Sequence, residues 1–257
     1  MKISAIMQVY LGEYPGARSN PQYKFVRAVN SFMLQKHSDK ELIIVADGCN
    51  DAKGIYERLF SSLDNIKFVY VARGNVPRMR EVSSNKRYFR GLPRQIGRSL
   101  ATGEIITYMD ADDLMLPSRL SQLNSAWLQA GPDKIWAYNT MVVQPKTPSF
   151  ILAADSPIDL RLFGFPITEP VYAGYMAQPG YMIASPPALS HRPDVNSKWK
   201  DTWEESDANG NKICGGSEDA AFVDGLSAEA PGCKHDSPTY VVCHYKGDPS
   251  CPGGWDI

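Results

Sequence analysis

The stretch "GEIITYMDADD", residues 103–113, decides how the rest of the chain is interpreted. Its first half is rich in β-branched and apolar residues, as a buried strand is. Three carboxylates follow within four positions, at Asp110, Asp112 and Asp113. Like charges this close repel one another, and a protein core cannot hold them unpaired. The stretch therefore predicts a buried strand whose end needs a partner of positive charge.

Outward from this stretch, strand and helix patterns alternate along the first half of the chain. We expect strands at residues 3–9, 41–48, 66–72 and 104–109, and helices at 21–36, 52–63, 92–103 and 117–131. Such alternation predicts a mainly parallel sheet with helices on its faces. In open sheets of this kind, ligands bind outside the carboxyl ends of the strands. "ADGCND", from residue 46, and "DADD", from residue 110, are therefore expected at the ligand-binding edge.

The second half, from about residue 132, is rich in Pro and Gly and has a weak helical pattern. We expect strands at residues 134–143, 180–185 and 238–245, and a short helix at 217–227. No linker composition, internal repeat or low-complexity tract separates the two halves. A single domain over residues 1–257 is the simplest interpretation.

The bulk composition argues against several classes of protein. Lysines and arginines (27) nearly balance aspartates and glutamates (28), so charge favours neither nucleic acid nor an anionic membrane as a partner. No apolar run approaches the ~20 residues of a membrane span, and the first residues resemble a strand more than a signal peptide. We expect no nucleic acid partner and no transmembrane segment, while a peripheral membrane contact stays open.

The cysteines indicate a reducing compartment. Their number is odd, and no two form a CxxC pair: Cys49, Cys214, Cys233, Cys243 and Cys251. Without a secretory signal, free thiols in the cytoplasm are a better interpretation than a disulfide framework. Four of these cysteines lie in the last 44 residues, near His235 and His244. A structural zinc site there is the alternative, although the spacings match no standard zinc pattern.

The acidic run at residues 110–113 has two interpretations. It could be a solvated turn that ends in the N-cap of the helix near Pro117. It could also hold Mg²⁺ or Mn²⁺, because these ions take oxygen ligands and combine one or two carboxylates with water and substrate phosphates. The position at the end of a central strand favours the metal, since the ion would relieve the repulsion among the carboxylates.

Two neighbouring features fit a nucleotide diphosphate. Asp47 ends the second strand, where it either forms an Asp-Gly turn or accepts a hydrogen bond from a base or ribose. The segment 73–98 holds eight Arg or Lys residues and one Glu, and it connects the third strand to the strand before the acidic run. A solvated surface is the usual reason for such a segment. Cations beside a metal site would also neutralise a diphosphate.

Several segments together resemble the family-2 glycosyltransferases of the GT-A fold, which are inverting enzymes with nucleotide-sugar donors. "SFMLQKHSDKELIIVADGCND", from residue 31, resembles the family pattern "S…L.Q…..ELIVVDDGS.D". "RQIGRSLATGEIITYMDADD", from residue 94, resembles "RN.gl..A.GeyI.flDsDD", and "GGSEDAAF", from residue 215, resembles the late "gED" motif. The resemblance is strong over residues 3–130 and loose over 181–245. It implies an α/β GT-A fold: a Rossmann-like, mainly parallel nucleotide-binding sheet with helices on both faces, in a single domain.

The resemblance also implies which residues bind the donor and the metal. Donor contacts are implied for Asp47, Arg94, Asp110 and Tyr10. Ligands of a bound Mn²⁺ or Mg²⁺ are implied to be Asp112, Asp110 and His244. Three positions depart from the family pattern: Ala46 replaces an aspartate, Leu11 follows the tyrosine of the first strand, and Gln95 follows the motif arginine. These departures concern the donor pocket, and hence the sugar and the base.

The pair Glu218-Asp219 matches the late acidic motif, and the resemblance implies that these residues are catalytic, with Asp219 as the base. A sugar hydroxyl is a poor nucleophile until a positioned base takes its proton. The pair follows a Gly-rich loop and begins an apolar helix. The alternative is therefore an acidic helix start that the helix dipole favours.

Trp199 and Trp203 are candidates for the acceptor site. Aromatic rings suit the apolar faces of pyranose rings, and both tryptophans precede the acidic pair in sequence. Tryptophans four residues apart could equally form the inward-packing face of a local helix.

The expected protein is a metal-dependent, inverting glycosyltransferase that moves a sugar from a UDP-type donor to a glycan or glycolipid hydroxyl, as in polysaccharide or lipopolysaccharide assembly. Residues 1–131 would bind the nucleotide sugar, and residues 132–257 would bind the acceptor and carry the base. One alternative is a sugar-phosphate nucleotidyltransferase, which would need a "GxGTRL"-type loop after the first strand. The other is a non-catalytic nucleotide-sugar or glycan-binding protein, which Ala46 favours mildly.

Overall fold

The computed structural model describes residues 1–12, 21–72, 79–82, 85–88, 91–143, 174–176, 187, 189–199, 202–206, 212–214, 218–235 and 240–242. The helices in these ranges are α1 (Pro21–Met33), α2 (Asn50–Leu59), α3 (Gly91–Leu100), α4 (Arg119–Ala130) and α5 (Glu218–Glu229). The strands are β1 (Ile3–Val9), β2 (Lys40–Asp47), β3 (Ile66–Val71), β4 (Met79–Val82), β5 (Asn85–Tyr88), β6 (Ile105–Asp110), β7 (Leu114–Met115), β8 (Trp136–Val143), β9 (Gly174–Met176), β10 (Leu189–His191), β11 (Thr202–Ser206), β12 (Lys212–Cys214), β13 (Cys233–His235) and β14 (Tyr240–Val242).

Four parallel strands, in the order β3-β2-β1-β6, form the centre of the main sheet. They are the four strands expected from the first half of the sequence. In the register, Val9 lies opposite Ala46, and Gln8 lies opposite Asp110. Because parallel strands share one carboxyl edge, the residues that follow β1, β2 and β6 meet there.

The second half of the chain extends the same sheet. β10 pairs antiparallel with β6, and β8, β14 and β7 follow in order, while β9 and β13 also pair with β8. The buried apolar residues of both halves belong to one core cluster, which includes Ile6, Tyr108, Trp136 and Phe222. The mixed α/β architecture therefore has one continuous hydrophobic core that both halves of the chain share.

Helix α3 packs closely on the parallel strands because Gly97 has no side chain. A Cβ atom at Gly97 would collide with the Cγ2 atom of Ile6 and crowd that of Val45. This close approach fixes the position of Arg94, which lies one turn earlier on the same helix. The glycine thus sets the distance between the motif arginine and the carboxyl edge of the sheet.

The described helices and strands agree with most of the sequence expectations. Helix α1 ends at Met33, three residues before the expected end, because the Lys36 N–H group donates to the Pro117 carbonyl instead of a carbonyl one helical turn earlier. The Lys40 ammonium group donates to the carbonyls of Met33 and Gln35 that are left at this end. The expected strand at residues 180–185 lies outside the described residues. None of the helices in the described ranges is long and apolar enough to cross a membrane.

A second, four-stranded sheet was not predicted. Its order is β12-β11-β5-β4, and β4 and β5 lie within the segment 73–98, which was expected to be a basic segment beside the ligand-binding edge with no strand before residue 92. All of its pairings are antiparallel. The strands are three to five residues long and mostly polar, so the apolar alternation that reveals a half-buried strand is missing.

Candidate functional site

The carboxyl edge of the parallel strands gathers three of the expected donor-binding residues. Tyr10 follows β1, Asp47 ends β2 and Asp110 ends β6. Asp47 is buried, whereas the Asp110 side chain is 28% exposed. The edge therefore has one carboxylate within the protein and one that a ligand can reach.

The geometry of the turn after β2 accounts for the glycine and the cysteine of "ADGCND". Gly48 has φ +63°, a conformation that favours glycine, and its N–H group donates to the carbonyls of Ala46 and Val71. The buried Cys49 Sγ accepts a hydrogen bond from the Leu11 N–H group at 3.2 Å. Cys49 is thus a small turn residue that joins the ends of β1 and β2.

Arg94 brings two acidic residues of the site together. Its Nη1 atom lies 3.0 Å from Asp219 Oδ1, and its Nη2 atom lies 3.8 Å from Asp110 Oδ1. Asp219, the second residue of α5, is 20% exposed at its side chain. The guanidinium group therefore links the expected catalytic base to the expected donor-binding residue, although these belong to opposite halves of the chain.

Tyr240 fixes the turn that carries the acidic run. Its hydroxyl group accepts a hydrogen bond from the Asp110 N–H group at 2.9 Å and donates one to Asp113 Oδ2 at 3.2 Å. Asp113 is fully buried, and its own N–H group closes the turn on the Asp110 carbonyl at 3.4 Å. Burial and the neighbouring carboxylates of Asp113 and Asp110 raise the pKa of Tyr240 well above its usual value, so its hydroxyl stays protonated and can donate.

Helix α1 holds the acidic run and the segment after it from another direction. Three buried polar residues at four-residue spacing make these contacts: Arg27 and Ser31 in α1, and Gln35 two residues after its end. Arg27 Nη2 donates to the Asp112 carbonyl at 2.8 Å, and Ser31 Oγ accepts from the Met115 N–H group at 3.1 Å.

Gln35 completes this row of contacts. Its Nε2 atom donates to the Leu116 carbonyl at 2.8 Å, and its Oε1 atom accepts from the Leu120 N–H group at 3.0 Å. No role was predicted for these side chains from the sequence. The signal was present in "SFMLQ", where Ser31 and Gln35 are the Ser and Gln of the family pattern.

The oxygen atoms at the turn suit a divalent cation. Asp110 and Asp112 are both partly exposed, so their carboxylates can meet a hard ion that a diphosphate and water would also ligate. Within the described ranges, no three His, Cys, Asp or Glu side chains are gathered as a protein-only metal site. This donor set fits an ion that the substrate helps to bind. His244 lies outside the described residues.

The acceptor role expected for Trp199 conflicts with its position. Trp199 is 3% exposed, Phe222 stacks on it at a centroid distance of 4.2 Å, and the Arg94 guanidinium lies over its ring at 4.9 Å. Its ring is therefore covered, and we correct its role to packing beneath Arg94. Trp203 lies in β11, opposite Arg87 of β5, so the alternative of a local helix is wrong for this residue. The Trp203 side chain is outside what the structure describes.

A buried hydrogen-bond chain supports Trp199 from below. Trp199 Nε1 donates to the Tyr108 hydroxyl at 2.6 Å, and this hydroxyl donates to His191 Nε2, 2.8 Å away. His191 Nδ1 in turn donates to the Arg192 carbonyl at 2.6 Å. Burial lowers the pKa of His191 to about 3, so the ring is neutral and can accept the hydrogen bond from the tyrosine hydroxyl.

Arg98, one turn after Arg94, has a structural role instead of a place in the site. Its guanidinium group donates to the backbone carbonyls of Pro193, Val195 and Ser197. These bonds fix the segment that leads to Trp199. Arg94, in contrast, directs its charge toward Asp110 and Asp219. Of these two arginines of the same helix, Arg98 therefore supports the backbone and Arg94 contacts the acidic residues of the site.

The comparisons with known proteins agree with this arrangement. The family model for glycosyl transferase family 2 matches residues 24–178. A curated relative, an uncharacterized glycosyltransferase of Nostoc sp., is 30% identical over 125 residues. The crystal structure of S. aureus TarS 1–349 has a TM-score of 0.58 at 16% identity, and its complex with UDP-GlcNAc has a TM-score of 0.59 at 15% identity.

The extent of these matches differs. The Nostoc alignment covers 48% of this chain but only 32% of the relative. The TarS alignments cover 94% and 96% of this chain and 60% of the TarS fragment. These structural neighbours share the GT-A fold, so the expected fold class is confirmed. Since the family model matches more than half of the 257 residues, the chain belongs to glycosyl transferase family 2.

Proposed function

We propose that this protein is a metal-dependent, inverting glycosyltransferase that moves a sugar from a UDP-linked donor to a hydroxyl group of a glycan or glycolipid. The observation that carries the proposal is the contact of Arg94 with both Asp110 and Asp219. It joins a carboxylate at the carboxyl edge of the sheet to a carboxylate that can act on an acceptor. TarS, a neighbour of similar fold, has been crystallised with UDP-GlcNAc, which supports the choice of UDP.

Asp219 is the proposed general base. Its partly exposed carboxylate can take the proton of an acceptor hydroxyl as the new bond to the sugar forms. The donor's nucleotide diphosphate leaves from the opposite face of the sugar, so the configuration at the anomeric carbon inverts. Arg94 orients Asp219 through the 3.0 Å ion pair, and its positive charge helps to hold the anionic donor near the base. Glu218 precedes Asp219, and its catalytic role stays a prediction.

Asp112 and Asp110 are the proposed ligands of Mn²⁺ or Mg²⁺. The ion would supply positive charge for the diphosphate as it leaves. The Arg27 and Tyr240 contacts hold the turn that carries both carboxylates. Tyr10, at the end of the first strand, is proposed to contact the nucleoside part of the donor. The contact implied for Asp47 stays a prediction, because its side chain is buried. His244 stays a predicted third ligand.

The division of labour between the halves is part of the proposal. Residues 1–131 supply the described edge positions for the donor, and residues 132–257 supply Asp219 and the proposed acceptor surface. Polysaccharide or lipopolysaccharide assembly in the cytoplasm is the proposed setting. The free thiols of Cys49 and Cys233, in the part of the chain that the structure describes, agree with a reducing compartment.

Thermal unfolding with UDP-, GDP- and dTDP-sugars, each with and without Mn²⁺, tests the donor site. Ligands that bind the folded state raise the unfolding midpoint by mass action. We expect a shift with UDP-sugars that requires Mn²⁺ and that Asp112→Ala removes. Asp133→Ala, which removes an exposed carboxylate after α4, is the matched control and should retain the full shift.

Two outcomes would contradict the proposal. If no nucleotide sugar shifts the wild-type midpoint near millimolar concentration, the donor site is wrong. If the shift occurs but neither hydrolysis nor transfer of the sugar follows with a range of glycan acceptors, the chain is a nucleotide-sugar-binding protein without turnover. Mass spectrometry of the products separates this second outcome from the proposed transfer.

A further inference from the structure

We propose that Tyr240 is a positioning residue for the metal and the donor diphosphate. It acts through the acidic turn, defined here as residues 110–113, without touching the donor itself. This inference rests on the proposed metal–diphosphate site. It adds a residue from the far end of the described chain, which the sequence analysis assigned only to a late strand.

The geometry of the Tyr240 hydroxyl carries the argument. One hydroxyl group bonds to both ends of the acidic turn, at the Asp110 N–H group and at Asp113 Oδ2. Tyr240 is fully buried and lies opposite Met115 in the β14–β7 pair, so packing and strand pairing restrain its ring. The turn is thereby held at a fixed distance from β14.

The position of Asp112 depends on this fixation. Asp112 lies between the two residues that Tyr240 holds, and its own carbonyl accepts the bond from Arg27. The proposed ligand carboxylates are thus held by a tyrosine on one side and by α1 on the other. Groups that orient metal ligands through hydrogen bonds commonly change metal affinity by 10- to 100-fold when they are removed.

Loss of the hydroxyl would remove one hydrogen-bond partner from each of two polar groups that are buried or half-buried. The Asp113 carboxylate would lose a donor, and the Asp110 N–H group would lose its acceptor. Such groups carry a cost that the backbone relieves by shifting toward water or other partners. A shift of Asp110 moves a proposed ligand directly, so the defect should appear in metal binding more than in global stability.

The test is Tyr240→Phe, measured by electron paramagnetic resonance of free Mn²⁺ during titration of the protein with saturating UDP. We expect the apparent Kd for Mn²⁺ to rise by about tenfold. At Mn²⁺ concentrations far above the raised Kd, the thermal shift produced by UDP should return to that of the wild type. A purely structural role of Tyr240 would instead weaken UDP binding at saturating Mn²⁺ as well.

Tyr56→Phe is the matched control. Tyr56, on α2, is partly buried and donates its hydroxyl to the Ile66 carbonyl at 3.4 Å, far from the acidic turn. This substitution should leave the Mn²⁺ affinity within twofold of the wild type. It removes the same atom from the same residue type, so it separates the effect of the position from the effect of losing a hydroxyl.

A second pair of variants applies if Tyr240→Phe does not fold. Asp113→Asn keeps an oxygen that can accept the Tyr240 hydroxyl, whereas Asp113→Ala removes it, and both lose the same charge. We expect Mn²⁺ to bind at least about fivefold more weakly to the Ala variant than to the Asn variant. Equal affinities for the two variants would contradict the inference.

The outcomes distinguish the two proposals. If wild-type protein binds Mn²⁺ with UDP and Tyr240→Phe binds it equally well, the inference about Tyr240 is wrong and the donor site stands. If wild-type protein binds UDP but no Mn²⁺, metal dependence and the inference fall together. If it binds neither, the proposed function itself fails.

Discussion

The two edges of the parallel sheet both hold buried carboxylates, and they use them in opposite ways. At the amino edge, Glu41 Oε1 accepts hydrogen bonds from Ser4 Oγ, the Thr102 N–H group and Thr102 Oγ1, at 2.5, 2.7 and 2.9 Å. Its Oε2 pairs with Lys67 at 2.8 Å and with Lys2 at 3.5 Å. At the carboxyl edge, the turn at residues 110–113 places several carboxylates side by side.

The difference lies in how much each edge leaves for a ligand. The Glu41 side chain is 4% exposed, whereas Asp110 and Asp219 are 28% and 20% exposed. Burial alone would raise the pKa of Glu41, but the hydrogen bonds from Lys67, Ser4 and Thr102 lower it to about 2. The carboxylate at the amino edge is therefore paired within the protein and stabilises the fold, whereas the carboxylates at the carboxyl edge remain accessible to a ligand.

The largest expected effect comes from removing the proposed base at the carboxyl edge. Asp219→Asn should lower the rate of sugar transfer by about 10³-fold, because a general base contributes roughly 10²–10⁴-fold. Donor binding, measured by thermal shift, should be unchanged. Radiolabelled or mass-spectrometric transfer assays measure the rate.

Asp224→Asn is the matched control for this prediction. Asp224 is an exposed residue of the same helix, and its substitution should leave the rate within twofold of the wild type. A full rate in Asp219→Asn would assign the base to another residue. The proposed catalytic role of the carboxyl edge would then no longer rest on Asp219.

The second prediction breaks the stability of the amino edge. Glu41→Gln should lower the free energy of unfolding by about 2 kcal/mol, because hydrogen bonds to charged groups contribute roughly 1.5–3 kcal/mol. The pKa near 2 also makes this stabilisation depend on pH. It is present above the unfolded pKa of about 4.3 and is lost as the pH falls toward 2. Urea denaturation at pH 7 and pH 3 measures both.

Glu57→Gln provides the control for the amino edge. Its i,i+4 ion pair with Lys53 is exposed on both sides, so its loss should cost less than about 0.5 kcal/mol. Donor binding should survive Glu41→Gln once the variant is folded. A variant that keeps its stability but loses donor binding would show that the two edges are coupled.

The third prediction concerns the layer between the edges. His191 is buried and neutral, and burial lowers its pKa to about 3. The unfolded chain binds a proton near pH 6.5 that the folded chain rejects, so stability is lost as the pH falls from about 6.5 toward 3. His191→Gln should flatten the pH dependence by up to about 1.4 kcal/mol per pH unit in this range.

Urea denaturation of both proteins between pH 4 and pH 7 measures this slope difference. The carboxylates, Glu41 among them, contribute equally to both proteins and cancel in the comparison. Identical slopes would mean that His191 takes up a proton in the folded chain at about the same pH as in the unfolded chain. Its ring could then accept the Tyr108 hydrogen bond only above about pH 6.5.

The sequence predicted the residues of the carboxyl edge better than the contacts that hold them in place. The limits of β1 follow from a run of apolar residues and agree with the structure. The motif residues Arg94, Asp110 and Asp219 could be named from the resemblance. Their closeness could not, since Arg94 and Asp219 are 125 positions apart and no periodicity relates them.

Other parts of the molecule give weaker signals. Tyr240 has the same surroundings in sequence as any aromatic residue of a strand, and only the folded turn reveals its hydroxyl contacts. The β4–β5 pair contains mostly polar residues, so tertiary pairing rather than local preference makes it a strand pair. Trp199 looked like a sugar platform because sequence cannot tell a covered ring from an exposed one.

The support of the acidic turn has a consequence for the order of folding. All four central strands lie within the first 110 residues, as does the α1 side chain that holds Asp112. Tyr240 is 130 positions from Asp110 and 127 from Asp113. During synthesis, the sheet can therefore form on the ribosome well before the turn is complete. A nascent chain that has not yet reached β14 would have its parallel strands but not the tyrosine that fixes the acidic turn, so the proposed metal site would be completed only after nearly all of the described chain has emerged.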